Sequence, residues 1–360
     1  MASDAPKLLN QLGQSLWLDN ITRDLLDSGT LQRYIDEFSI TGLTSNPTIF
    51  DNAIARNSWY DSEIREQLDA GAAGEALFFN LAVQDLGRAA DLFLPIHERT
   101  GTVDGFVSLE VSPELAYDTQ ATIAQAKMLH AKASRRNLFI KIPGTAEGLP
   151  AIEEAIFAGV PVNVTLLFST AQYQAAADAY MTGLERRVAA GLPADVRSVA
   201  SLFVSRWDVA VAGKVPAELR NALGMAVSRQ SYKASRDVLE SDRFQRLENV
   251  GARAQRLLFA STGTKDKTAS DTLYIAGLAA PNTVNTMPEE TLLAFADHGA
   301  TARPLSRDGG DAEAVLAAHV KAGVDLTALA ARLQSDGANG FVKSWKELLG
   351  AIDAKSKSLA

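Results

Sequence analysis

The chain contains no cysteine. That absence excludes thiol nucleophiles, disulfides and thiolate metal sites, and it fits a reducing compartment. Histidine is scarce. Only His97, His130, His298 and His319 occur, scattered along stretches of helical character. No H-E-x-x-H is present, so no metal site is expected. Neither G-x-G-x-x-G nor G-x-x-x-x-G-K-[ST] occurs, which argues against a dinucleotide fingerprint and a P-loop. "STGTKDKT" puts Gly near Lys without that spacing. G-x-S-x-G is missing too, and with it the elbow of a serine hydrolase. No basic run interrupts a chain of net charge −8, so nucleic acid is not an expected partner. No stretch approaches 18 uninterrupted apolar residues. The opening "MASDAPKLLNQLGQSLWLDN" has no apolar core of a signal peptide. These absences predict a cytoplasmic protein with no membrane partner.

What is present is 360 residues of 47% hydrophobic content, ample for a large core. Eight short, apolar, β-rich runs recur: 15–20, 42–47, 105–111, 137–142, 161–168, 198–204, 256–262 and 282–287. Amphipathic helical stretches separate them. Ser112-Pro113-Glu114, Ser169-Thr170-Ala171-Gln172 and Thr286-Met287-Pro288-Glu289 each read as a helix start. Two longer excursions, near 48–104 and 207–255, read as helical insertions. Residues 311–333 and 340–355 read as closing helices. No Pro-, Gly- or Ser-rich linker divides the chain, so residues 1–360 are expected to form one domain. Eight strands alternating with helices most simply close into a parallel (β/α)8 TIM barrel. A doubly wound open sheet is the rival, but it would usually show a Gly-rich turn after its first strand, where "DNITRDL" stands.

The run "NLFIKIPGT" sets Lys141 among Phe139, Ile140 and Ile142. Lysine is almost never fully buried without a partner or a task. In a barrel, reactive groups gather at the carboxyl ends of strands. There this sequence places Asp19, Asn46, Glu110, Lys141, Asn163, Thr165 and Ser201, with Arg206 just beyond. Residues two apart on a strand share a face. Trp17 with Asp19, Ser108 with Glu110, Phe139 with Lys141, and Asn163 with Thr165 are therefore expected to point the same way. Each also has a plain structural reading. Asp19 could cap a helix, Asn46 could be a turn residue, and Glu110 could merely neutralise a structural Lys141. Thr165 could be an ordinary strand threonine, and Arg206 a surface residue. The joint pattern favours one cavity. A neutral amine attacks carbonyl carbon to form a Schiff base, and an apolar setting disfavours the charged form. The protonated imine is then an electron sink for carbon–carbon cleavage. Asp19 is the candidate base for a substrate hydroxyl, and Glu110 the candidate proton shuttle, through a water held by Thr165. Asn46 and Asn163 can bond substrate hydroxyls, and Arg206 can clamp a phosphate.

At these residues the sequence resembles the transaldolase family. "LWLDN", "TGLTSNPTIF", "VSLEVSP", "FIKIPGT", "VNVTLLFS" and "ASLFVSRWD" are similar to its signatures, in its order, across nearly the whole chain. The variant resembles the longer bacterial class, with its "ASTGTK" stretch. The resemblance implies transfer of a dihydroxyacetone unit from sedoheptulose 7-phosphate or fructose 6-phosphate to glyceraldehyde 3-phosphate or erythrose 4-phosphate. This is a step of the non-oxidative pentose phosphate pathway. It implies Lys141 as the Schiff-base lysine, Asp19 as acid/base, Glu110 as the second carboxylate and Thr165 as the water-holding hydroxyl. Asn46, Asn163, Ser201 and Arg206 would bind substrate. Many members bring a second arginine to the phosphate after the seventh strand. Here Lys265, aided by Ser261, stands in its place. No cofactor is implied, and a monomer or homodimer is expected. A sister branch that releases free dihydroxyacetone resembles this pattern but carries Gln at the position of Glu110 and Tyr at that of Phe203. The remaining alternative is a phosphosugar-binding barrel without catalysis.

An imine supplies the electron sink that a metal would otherwise provide. Activity is therefore expected to survive exhaustive chelation. Loss on chelation, with recovery on adding zinc, would identify a metal-dependent aldol mechanism instead.

Overall fold

Each of the eight apolar runs overlaps a strand in the computed structural model, which describes residues 3–300 and 303–359. The second overlaps least, because its strand begins before the run and ends at Leu43, leaving 44–47 to a loop and a helix start. They are β1 (Gln14–Leu18), β2 (Ile40–Leu43), β3 (Val107–Glu110), β4 (Leu138–Pro143), β5 (Val162–Leu167), β6 (Ser198–Phe203), β7 (Gln255–Ala260) and β8 (Thr283–Met287). All are parallel and ordered by sequence, and β8 closes onto β1, with Gln14 opposite Thr283. Every residue of the eight strands is buried, ends included. Burial on both faces is why they read as apolar runs instead of alternating ones. The barrel has the predicted (β/α)8 architecture.

Its interior is filled by Trp17, Phe139, Val199, Leu258 and Val284, together with Phe106. Phe106 stacks on Phe139 with ring centroids 4.1 Å apart, and Trp17 lies 6.1 Å from Phe139. Gly42 passes beside this filling. A Cβ there would stand 2.6 Å from the Phe106 carbonyl and 2.7 Å from the Trp17 ring. A buried polar network closes the floor. Trp17 Nε1 donates to Asp104 at 2.9 Å, Ser15 donates to the same carboxylate, and Arg256 donates to Ser15 and to the Thr283 carbonyl. The barrel is thus a plugged core with only its carboxyl end open to chemistry.

The first helical excursion holds Pro47–Arg56, Asp61–Asp69 and Gly74–Arg99; the second holds Ser205–Val211, Leu223–Glu240 and Asp242–Asn249. The capping box at Ser169 forms, with Gln172 returning a bond to the Ser169 backbone. Two other expected starts do not. Ser112-Pro113-Glu114 opens only a single 3-10 turn, and the Ser112 side chain makes no capping bond. The helix Thr119–Ala133 begins later, capped by Asp118. Thr286 does not cap Glu289–His298 either, since it still belongs to β8 and its hydroxyl is bonded to Thr44. The closing helices divide at Gly323 and not near residue 335. Ala312–Lys321 is followed by one continuous helix, Leu326–Leu359, of 34 residues. No single helix among the described residues is long and apolar enough to cross a membrane.

Candidate active site

Strand register brings the polar residues together. Glu110 on β3 lies opposite Lys141 on β4, and Lys141 opposite Asn163 on β5. Lys141 Nζ is 3.2 Å from Glu110 Oε2 and donates to the Ser45 carbonyl at 3.2 Å. Lysine and glutamate are only 5% and 6% exposed, so the pair is buried and the amine has a counter-ion within hydrogen-bond reach.

A cavity at the barrel mouth is lined by Asp19, Asn46, Lys141, Thr165, Ser201, Phe203, Arg206, Ser261 and Lys265. Nine of the eleven residues singled out from sequence therefore meet there. The other two lie beneath it. Glu110 reaches the cavity through Lys141. Asn163 is fully buried, donating to Ser108 Oγ at 3.1 Å and accepting from Ser201 Oγ at 2.7 Å. Asn46 fills two roles at once: its Oδ1 caps Pro47–Arg56 through the Ile49 N–H, and its side chain lines the cavity. Ser261 exchanges a hydrogen bond with Ser205 at 3.0 Å, and Lys265 is exposed at the rim.

Thr44, Thr286 and Phe341 also line the cavity but were not anticipated. Thr44 donates to Asp19 Oδ1 at 2.7 Å and shares a 2.7 Å bond with Thr286. Thr44 could have been found by parity, since it stands two residues before Asn46. Phe341 carries no local signal. It arrives from the helix Leu326–Leu359, whose Gln334 donates to the carbonyls of Gly144 and Leu166 at 3.0 Å each. Leu166 holds a left-handed φ of 60° where the β5–β6 register shifts, a bulge with no sequence signature.

Burial pushes the Asp19 carboxyl above its ordinary range, while Lys141, the Thr44 hydrogen bond, Arg206 and Lys265 pull it back. Burial raises Glu110 likewise, against the pull of Lys141. Burial lowers Arg206, against the nearby Asp19 and Glu110. Glu110 Oε1 and Thr165 Oγ1 are buried and find no hydrogen-bond partner among the described residues. Among those residues, no group of three or more His, Asp or Glu side chains could hold a metal. A larger cavity of about 500 Å³ lies on the far side of Lys265. Its carboxylates are already bonded, Asp208 to Tyr274 and two backbone N–H groups, Asp266 to Asn221 and Thr268. Lys141, Asp19 and Arg206 face the smaller one.

A closed parallel barrel with a buried lysine and two carboxylates at its mouth defines a (β/α)8-barrel enzyme. The family described as Transaldolase/Fructose-6-phosphate aldolase matches residues 16–352. The chain is 41% identical to Transaldolase 2 of Streptomyces coelicolor across 99% of both chains. It is 44% identical to the Transaldolase of Mycobacterium ulcerans across 100% of both. It is also 44% identical to that of Thiobacillus denitrificans, over 96% of this chain and 99% of the relative. This chain belongs to the transaldolase/fructose-6-phosphate aldolase family.

A carboxyl whose pKa is raised by folding contributes stability that is fully present below its unfolded value and is lost as pH rises through the folded one. Burying the Asp19 carboxyl therefore costs stability at neutral pH. Asp19→Asn is expected to raise Tm at pH 7 by about 2 °C or more. That gain should shrink as pH falls through the raised folded value and vanish below about 4, where the unfolded carboxyl is itself protonated. Thermal unfolding across pH checks this. A variant melting no higher than the parent at pH 7 would show that the Thr44 bond and nearby cations outweigh burial.

Proposed function

We propose that this chain is a transaldolase. It transfers a three-carbon dihydroxyacetone unit between sugar phosphates through a Schiff base on Lys141. The observation that carries the reading is the buried Lys141–Glu110 pair, 3.2 Å apart, opening on the cavity that Asp19 and Arg206 share. The donor is sedoheptulose 7-phosphate or fructose 6-phosphate. The acceptor is glyceraldehyde 3-phosphate or erythrose 4-phosphate, as in the non-oxidative pentose phosphate pathway. The same reading carries a cytoplasmic, cofactor-free enzyme, monomeric or homodimeric, folded as one domain.

Only a neutral amine attacks, so the Lys141 proton must leave. Glu110 is adjacent, and its raised pKa suits it to accept that proton. The amine adds to the C2 carbonyl of the donor, and the carbinolamine loses its oxygen as water. The unpartnered Glu110 Oε1 and Thr165 Oγ1 are suited to hold the water that relays these protons. Asp19 then takes the proton of the C4 hydroxyl. The C3–C4 bond breaks, its electron pair moves into the iminium, and an aldose phosphate leaves. The enamine on Lys141 attacks the acceptor aldehyde, Asp19 returns its proton, and hydrolysis frees the product. Arg206, with Lys265 and Ser261, binds the phosphate. Asn46 binds substrate hydroxyls, and Asn163, positioned by Ser201, can offer its second amide proton.

Borohydride reduction with fructose 6-phosphate should add a dihydroxyacetone-derived mass to the peptide containing Lys141. In Asp19→Ala the intact six-carbon donor should be trapped there instead. Label on another lysine would sink the assignment. Failure of Asp19→Ala to form any imine would move Asp19 to the earlier step.

Transfer also requires that the enamine survive until an acceptor arrives. Phe203 lines the cavity, 6% exposed, and offers no proton. Phe203→Tyr would add a hydroxyl able to orient water or protonate the carbanion. That variant is expected to release free dihydroxyacetone from fructose 6-phosphate with no acceptor present. The parent should release little until erythrose 4-phosphate is added. Equal release by the parent with and without acceptor would establish the aldolase of the sister branch in its place, and no turnover at all would leave a binding barrel.

A further inference from the structure

Transfer and hydrolysis differ only in what reaches the enamine, so every wall of the cavity bears on the outcome. In the competing hydrolysis a proton adds to C3 of the enamine. Water then adds to C2, the C2–N bond breaks, free dihydroxyacetone leaves and Lys141 regains its amine. Apart from Phe341, the strands and the segments just beyond their carboxyl ends supply the cavity wall. Phe341 is supplied from elsewhere, by the helix Leu326–Leu359.

We infer that Phe341 is a specificity-determining residue, shielding the Lys141-bound enamine from water and steadying Arg206 toward the phosphate. The inference rests on the proposed Schiff-base transfer. The ring centroid lies 5.6 Å from Lys141 Nζ and 5.8 Å from Arg206 Cζ. An aromatic face at that distance attracts a cation. It suits the protonated imine and gives water no hydrogen-bonding partner. The Arg206 guanidinium also lies 5.0 Å from the Phe203 ring, so two rings contact one guanidinium.

The helix is built to hold this ring in place. Gln334, Gly337, Ala338 and Phe341 follow the i, i+3, i+4, i+7 spacing of one helical face. Gln334 ties that face to the Gly144 and Leu166 carbonyls, next to the strand ends that carry Lys141 and Thr165. Gly337 lets the helix descend: a Cβ there would stand 2.9 Å from Leu166 Cδ2 and 3.1 Å from Arg206 Nη1. One turn beyond Phe341, Trp345 packs edge-on against Phe78, with centroids 5.0 Å apart. Phe341 is thus anchored on both sides. A residue serving only as core would not need to lie over the two cations of the cavity.

The test compares dihydroxyacetone release from fructose 6-phosphate alone with transfer to erythrose 4-phosphate, in parent and Phe341→Ala. The ratio of release to transfer is expected to rise about tenfold in the variant, with borohydride label still on Lys141 and a raised KM for the donor. Gly337→Ala, which keeps the ring but lifts the helix, should move the ratio in the same direction. Should Phe341→Ala not fold, Phe341→Leu keeps an apolar side chain, and a smaller rise is expected. An unchanged ratio in a folded, labelled Phe341 variant overturns the inference. Absence of label on Lys141 in the parent overturns the Schiff-base reading, and this inference with it.

Discussion

Lys141 and Glu110 form an ion pair taken almost wholly out of water. Removing one partner of such a pair typically costs about 3–5 kcal/mol, because the other charge is left uncompensated. The pair therefore constrains the structure around it. It forms only if β3 and β4 align with Glu110 opposite Lys141. A slip of one residue would turn Lys141 to the other face of the sheet. The register is held lower in the barrel, where Phe106 stacks on Phe139. There the Asn137 amide also donates to the carbonyls of Ala90 and Gly105 at 2.8 Å each. Groups with no chemistry at the floor thus set the geometry of groups with chemistry at the mouth.

The mouth is also where the fold is least comfortable. Burial pushes the Asp19 and Glu110 carboxyls above their ordinary range, and Glu110 Oε1 and Thr165 Oγ1 lack partners among the described residues. Unmet hydrogen-bonding groups in such a place are destabilising. They are tolerable because the surrounding barrel is extensively packed, and a substrate or a water can meet them in turn. A strained Leu166 with a left-handed φ lies one residue after Thr165, and its carbonyl is met by Gln334. Strain and unsatisfied groups collect on β5 where the site lies, a pattern expected where function overrides local preference.

The barrel was legible because parallel strands buried on both faces appear as apolar runs, and because polar residues inside such runs stand out. Lys141 between Ile140 and Ile142 is the clearest case. Parity then predicted which of its neighbours share its face. Small hydroxyl residues were harder. Thr286 looked like a helix cap and Ser112 like another, since the same oxygen serves a cap, a turn or a site depending on where the chain goes next. Asn46 shows that these roles need not compete. Phe341 and Gln334 were invisible for a different reason. Their helical spacing announces a buried face but not what it is buried against, and the partners Leu166 and Gly144 lie 168 and 190 positions away from Gln334.

Charge links the site to its substrates. The chain carries −8 overall, yet the substrates proposed for it are phosphate anions that such a surface repels. The cavity reverses the sign locally. Lys141, Arg206 and Lys265 set three cations against the two carboxylates of Asp19 and Glu110, one positive charge in excess when all five are ionised. Those cations are not equivalent. Lys141 is committed to Glu110, and Arg206 is half-buried against two aromatic faces, where its planar fork can meet a phosphate in a fixed orientation. Lys265 is exposed at the rim, a point charge suited to drawing an anion inward but not to orienting it. On the proposed reading, a lysine in place of a second arginine leaves phosphate orientation to Arg206. Arg206 in turn depends on the ring of Phe341, and so on a helix that enters the site from the far end of the chain.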